Sequence, residues 1–125
     1  MSVFIDSNVI IKAFVDDKDT GKCRSMIFKE FVTNALCLVE AQHTISKIKN
    51  DKFYAADCVK SLFKSKGTIV QLDRNLLFES FKRIGKYNLN ISDLINYTTA
   101  LINNCSQIVS YDKDFDDLEI KRIEP

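Results

Sequence analysis

Val3-Phe4-Ile5-Asp6-Ser7-Asn8-Val9-Ile10 is the stretch that decides the fold. Three strand-forming residues run into Asp-Ser-Asn, all good helix-capping residues, and Val9, Ile10, Ala13 and Phe14 then recur at helical spacing. The stretch reads as strand, turn, helix. Further along, Thr68-Ile69-Val70-Gln71 reads as a second strand, Gln107-Ile108-Val109-Ser110-Tyr111 as a third, and residues 120–123 as a final edge strand. Helices fill the intervals. A polar loop over residues 16–22 precedes a second helix carrying Met26, Ile27 and Phe31. After Thr33-Asn34 comes a long amphipathic helix with Leu36, Val39, Glu40 and His43, and another spans about 52–63 before Gly67. Asp73 caps a helix through Phe78 and Phe81, Asn90 or Ser92 caps one from Asp93 to about Asn103, and residues 112–118 form a turn with a short helix. This alternation predicts an α/β fold, a three-layer α/β/α arrangement around a mostly parallel sheet of four to five strands.

At 125 residues the chain is long enough to bury roughly two thirds of its unfolded surface, so residues 1–125 are expected to form a single domain. With 18 basic and 17 acidic side chains its formal charge is +1, which excludes a polybasic arm or an acidic tail. Cys23, Cys37, Cys58 and Cys105 lack the paired spacing of zinc or redox motifs and read as reduced core residues. No secretory-type segment opens the chain and no apolar run reaches the ~18 residues of a membrane span. A cytoplasmic protein is expected.

Four acids sit in apolar settings. Asp6 ends Val3-Phe4-Ile5, Glu40 follows Leu36-Cys37-Leu38-Val39, Asp93 opens Leu94-Ile95, and Asp112 comes just after Ile108-Val109. Buried carboxylates lose hydration and repel one another, so a group of them persists only around something cationic. In an open parallel sheet, ligands bind beyond the carboxyl ends of the strands, where Asp6 and Asp112 fall. Asp93 lies in the first turn of its helix and Glu40 points inward from a helix passing the same edge. Singly, each acid has an ordinary explanation as a cap, a turn residue or a solvated helix charge. Jointly they suit Mg²⁺ or Mn²⁺, which lower the pKa of a water and offset the charge of a phosphodiester under attack.

In order and setting these segments resemble the PIN-domain ribonucleases, whose small members include toxins of the VapC type from toxin-antitoxin pairs. Val3 to Ile11 resembles the family's opening strand, in which Asp is followed by a small hydroxylic residue and Asn. Val39-Glu40 resembles its second acidic site, Ile91-Ser92-Asp93-Leu94-Ile95 with Ala100 its third, and Ile108-Val109-Ser110-Tyr111-Asp112-Lys113-Asp114-Phe115 its closing strand and acidic turn. Asn96-Tyr97-Thr98-Thr99 departs from the small, Ala-rich run of that family. The resemblance implies a metal-dependent endoribonuclease leaving 5′-phosphate and 3′-hydroxyl ends. It assigns Asp6, Glu40, Asp93 and Asp112 as catalytic metal ligands, with Asn8, Ser110, Asp114 and Asp116 in support. It further implies an RNA substrate and a separate small antitoxin, while apolar positions in the early helices, such as Ile27 and Phe31, are expected to be exposed and to support a homodimer.

Other residues carry blander expectations. His43, one helical turn from Glu40, is expected to be a partly buried structural histidine. Lys60, Lys64, Lys82, Arg83 and Lys86 read as solvated helix faces, although they could track phosphates. Phe28, Phe31, Phe53, Phe63, Phe78 and Phe81 read as packing residues in core or dimer interface. Three alternatives compete with the nuclease: a non-catalytic PIN-like module that binds RNA or protein, a housekeeping RNA-processing nuclease, and a phosphoacceptor domain. The last wants an acidic pair at the first strand end, where Ser7 follows Asp6 here.

Overall fold

A computed structural model describes residues 2–125. Five short strands, β1 Val3–Ile5, β2 Val32–Asn34, β3 Thr68–Val70, β4 Gln107–Val109 and β5 Lys121–Ile123, form one sheet in the order β3-β2-β1-β4-β5. All four pairings are parallel, with Val3, Phe4 and Ile5 opposite Gln107, Ile108 and Val109 at the centre. Parallel strands require crossovers between them, and six helices supply those from β1 to β4: α1 Ser7–Phe14, α2 Thr20–Ile27, α3 Ala35–Lys49, α4 Lys52–Ser61, α5 Arg74–Phe81 and α6 Ile91–Ile102, while a short 3₁₀ turn, Lys113–Phe115, lies between β4 and β5. The layers are α/β/α. Because β1 and β4 are buried on both faces, Phe4, Ile5, Ile108 and Val109 are wholly inaccessible to solvent.

Helix starts follow capping chemistry. Asp6 caps α1 through Ser7, Asn34 caps α3 through Cys37, Asp73 caps α5 through Leu76, and Asn90 caps α6 through Asp93. Helix α6 is the most deeply placed, with every residue from Asp93 to Ala100 buried. Its Tyr97 packs edge-on to Tyr87 and stacks near Phe115, and its hydroxyl accepts the Ile120 amide at 3.0 Å.

Several expectations need correction. Phe31 does not extend a helix: α2 ends at Ile27, and residues 32–34 form the extra strand β2. Neither Ile27 nor Phe31 is exposed, so neither offers a dimer surface. The Phe31 ring lies where a Cβ on Gly67 would stand, which is why that turn takes a glycine. The polar segment 16–22 is a loop only until Thr20, where α2 begins. His43 is exposed, not partly buried. Of the six phenylalanines read as packing residues only Phe31 is in the core; Phe53 is 74% exposed and Phe78 62%. The apolar contacts of α4 are made by Ala55, Cys58 and Val59, and those of α5 by Leu76, which leaves the rings on the outer faces. All four cysteines are buried free thiols. Lys60, Lys82, Arg83 and Lys86 pair with Asp57, Glu79, Glu79 and Glu119 on the surface. Among the described residues no helix is long and apolar enough to cross a membrane.

Candidate metal centre

The strand order reverses direction between β1 and β4, and the crevice opens there. Asp6 leaves β1 and Ser110 leaves β4 side by side, so their side chains meet at the switch point. The Ser110 hydroxyl donates to Asp6 Oδ2 at 2.7 Å and accepts from the Asn8 amide at 3.1 Å and the Asp112 backbone N–H at 3.0 Å. Asn8 also donates to Asp6 Oδ2 at 3.3 Å, while its carbonyl accepts the Tyr111 N–H at 3.3 Å. On the other oxygen, Asp6 Oδ1 accepts the Ser7 N–H at 2.7 Å and the Asn96 amide at 3.4 Å. Two donors therefore meet each oxygen. Burial nevertheless pushes the Asp6 carboxyl up, against the bonds from Ser110 and Ser7, and the charge of Asp112 adds to the rise.

Around this fixed carboxylate the other acids gather. One oxygen from each of Asp93, Asp112 and Asp114 lies within 4.8 Å of the others. Asp93 is pushed up to about 7, first by burial, then by the charges of Asp112 and Asp6 and a carboxyl contact with Asp112. Burial and then the charge of Asp6 raise Glu40 as well. Among the described residues three buried side-chain oxygens find no hydrogen-bond partner, and two of them are Glu40 Oε1 and Asp93 Oδ2. Unpartnered buried carboxylate oxygens beside like charges are costly unless a cation completes them, so the donor set fits a hard divalent ion.

Of the eight residues singled out in the sequence, seven gather at this end of the sheet: Asp6, Asn8, Glu40, Asp93, Ser110, Asp112 and Asp114. Asp116 does not. It is exposed and pairs with Arg122 Nε at 2.6 Å, and Arg122 is held in place by the Ser110 carbonyl and Glu124. Two residues that the sequence reading passed over belong to the site. Asn34 and Asn96 are both buried and bonded to each other at 2.9 Å, and Asn96 reaches Asp6. The departure at Asn96-Tyr97-Thr98-Thr99 is thus in part a polar network under the acidic site. Its one signal in the sequence was an asparagine three residues after Asp93, on the same helix face.

A family model of the PIN domain matches residues 3–121, so the chain belongs to the PIN-domain family. The solved structures it resembles include the sarcin-ricin loop cleaving toxin VapC20 of Mycobacterium tuberculosis, at TM-score 0.80 and 12% identity over 99% of this chain and 100% of that one. A toxin-antitoxin complex from Klebsiella pneumoniae aligns at TM-score 0.76 and 13% identity, over 100% of this chain and 98% of that one. VapBC2 from Rickettsia felis, solved with a fragment of promoter DNA, aligns at 0.69 and 15%, over 99% and 98%. At these identities the likeness is one of fold. No curated protein sequence matches the chain significantly.

Proposed function

We propose that this chain is a metal-dependent endoribonuclease using Mg²⁺ or Mn²⁺, acting as a single PIN domain and as the toxin of a toxin-antitoxin pair. The observation that carries the reading is the convergence of Asp93, Asp112 and Asp114 beside Asp6 and Glu40, with two carboxylate oxygens lacking any protein donor. Asp6, Glu40, Asp93 and Asp112 would hold the ion; Asp93 and Asp112 lie close enough to Asp114 for it to join, and Asp6 and Glu40 are near enough to be felt through their charge. When bound, the ion would supply an acidified water and a counter-charge for the phosphodiester. The residues themselves do the rest. Ser110 and Asn8 fix the rotation of Asp6, and the Ser110 hydroxyl sets the approach of the Asp112 backbone. The Asp112 carboxylate accepts the Asp114 N–H at 2.9 Å, which caps the short 3₁₀ turn Lys113–Phe115 that carries Asp114. The toxin assignment, with a small antitoxin and a homodimer in the cytoplasm, draws support from the family and from the toxin-antitoxin assemblies among its structural neighbours.

The test incubates purified protein with RNA in Mg²⁺ or Mn²⁺ and again with chelator. Cleavage should need the metal, leave 5′-phosphate ends, and fall away in Asp6→Asn and Asp93→Asn. RNA binding without cleavage would leave the non-catalytic module standing instead. Equal cleavage by wild type and both variants would show a contaminating nuclease.

A further inference from the structure

Asp6 is held from three elements, and the grip from α6 has its own support. The starting point is a group whose direction is fixed: the Cys37 backbone N–H can only donate, and it donates to Asn34 Oδ1 at 2.9 Å. The Asn34 NH₂ must then face the other way, where it donates to Asn96 Oδ1 and Thr99 Oγ1, both at 2.9 Å. Thr99 gives its own proton to the Ile95 carbonyl at 2.8 Å, so its oxygen is free to accept. Asn96 Oδ1 also takes the Cys37 thiol at 3.4 Å. With its carbonyl committed twice, Asn96 has one orientation left, and its NH₂ faces Asp6 Oδ1 at 3.4 Å. Asn34 is wholly buried and Asn96 is 2% exposed, so water does not compete for either amide.

The placement of Asn96 gives the contact a purpose. It lies one helical turn after Asp93, on the same face of α6, and among the described residues it is the one α6 side chain that donates to Asp6. The bond therefore ties the acid at the end of β1 to the helix that carries Asp93. We propose that Asn96, aligned by Asn34, is a positioning residue that sets the rotation of the Asp6 carboxylate and its spacing from Asp93, so that both acids meet one divalent ion. This deepens the metal-dependent reading and rests on it. Asn34 serves twice, as the cap of α3 and as the aligner of Asn96.

Mn²⁺ titrated into metal-free protein, with free ion followed by electron paramagnetic resonance, tests the relay without any catalytic assay. Asn96→Leu removes the donor at similar size and should bind roughly ten- to hundredfold more weakly, the range for losing a partner of a metal ligand. Asn34→Ser keeps a capping side chain, frees the Asn96 amide to turn, and should fall between that variant and wild type. In the metal-free state the Asn96 side-chain NH₂ signals should shift on Asp6→Asn. Full Mn²⁺ affinity in folded Asn96→Leu, or NH₂ signals indifferent to Asp6→Asn, overturns the relay and leaves the metal reading intact. No Mn²⁺ binding by wild type overturns the metal reading itself. If Asn96→Leu does not fold, Asn34→Ser decides, and unchanged affinity there overturns the relay.

Discussion

The end of β1 and the first turn of α6 each place one buried carboxylate in the same crevice, yet the two are treated in opposite ways. Asp6 receives four donors, from Ser7, Asn8, Asn96 and Ser110. Asp93 has an oxygen with none, and is pushed up to about 7 by burial and by its acidic neighbours. Both oxygens of Asp6 are thus held by protein donors, two of them only at 3.3 and 3.4 Å, which leaves room for an ion, whereas Asp93 is left wanting. The difference assigns separate tasks. Asp6 is a fixed reference that the fold builds, and Asp93 is the acid whose electrostatic cost a cation would relieve.

The comparison breaks most readily on activity. Asp93→Asn and Asp6→Asn should each lower RNA cleavage by about 10²–10³-fold, the scale for losing one preorganised electrostatic group in a site of this kind. The two should part on stability. Asp93→Asn removes an unpartnered charge and should not destabilise metal-free protein at neutral pH, whereas Asp6→Asn turns an acceptor into a partial donor among four donors and should. Equal melting losses in chelator would sink the contrast.

Next in size is Ser110→Ala. It strips one hydroxyl from three partners, Asp6, Asn8 and the Asp112 N–H, at a site fully closed to solvent. The expected cost is about 1–3 kcal/mol in urea unfolding, because buried polar groups are left without a partner. Ser110→Thr, which keeps the hydroxyl, should recover much of the lost cleavage. If Ser110→Ala melts like wild type, the donors on Asp6 are not the structural anchor inferred for them.

A pH series sharpens the Asp93 half. In the fold Asp93 keeps its proton up to about pH 7, while unfolded it releases it near the ordinary ~3.9. The folded chain binds more protons across that window, so this group's contribution to stability falls as pH rises from about 4 to about 7. In chelator, wild type should therefore melt below Asp93→Asn at pH 8, by roughly 2–6 °C, and the gap should close toward pH 5. Saturating Mg²⁺ should raise wild type more than the variant, since only wild type offers the full ligand set. A gap that widens on acidification would reverse the assigned sign.

What could be read in the sequence divides along a physical line. Local grammar was legible wherever a strand-forming run meets a capping residue, as at Ile5-Asp6 and Val70 to Asp73, and so were the acids whose apolar neighbours made them conspicuous. Phe31-Val32-Thr33-Asn34 has the same grammar, but Ile27 and Phe31 lie four apart and suggested a continuing helix. That spacing hid β2 and with it Asn34. Helical spacing also told which face Phe53, Phe63, Phe78 and Phe81 share, but not whether anything covers it; the small side chains of α4 do the packing instead. Asn96 was illegible as a site residue because its role depends on Asn34, 62 positions away.

Asp116 offers the smallest effect and the cleanest control on the whole contrast. It lies in the same acidic turn as Asp112 and Asp114, yet belongs neither with the donor-held acid nor with the unpartnered one, because Arg122 holds it on the surface. An exposed ion pair is worth about 0–1 kcal/mol, and Arg122 keeps the Ser110 carbonyl and Glu124 when Asp116 is neutralised. Asp116→Asn should therefore cleave RNA within about twofold of wild type and unfold within about 1 kcal/mol of it. Asp114→Asn, two residues earlier and within the carboxylate group, should lose more. Were Asp116→Asn to cut as poorly as Asp93→Asn, the turn after β4 would have to release Arg122 and swing Asp116 inward on binding the ion, and the division between built and waiting acids would extend to a third, mobile class.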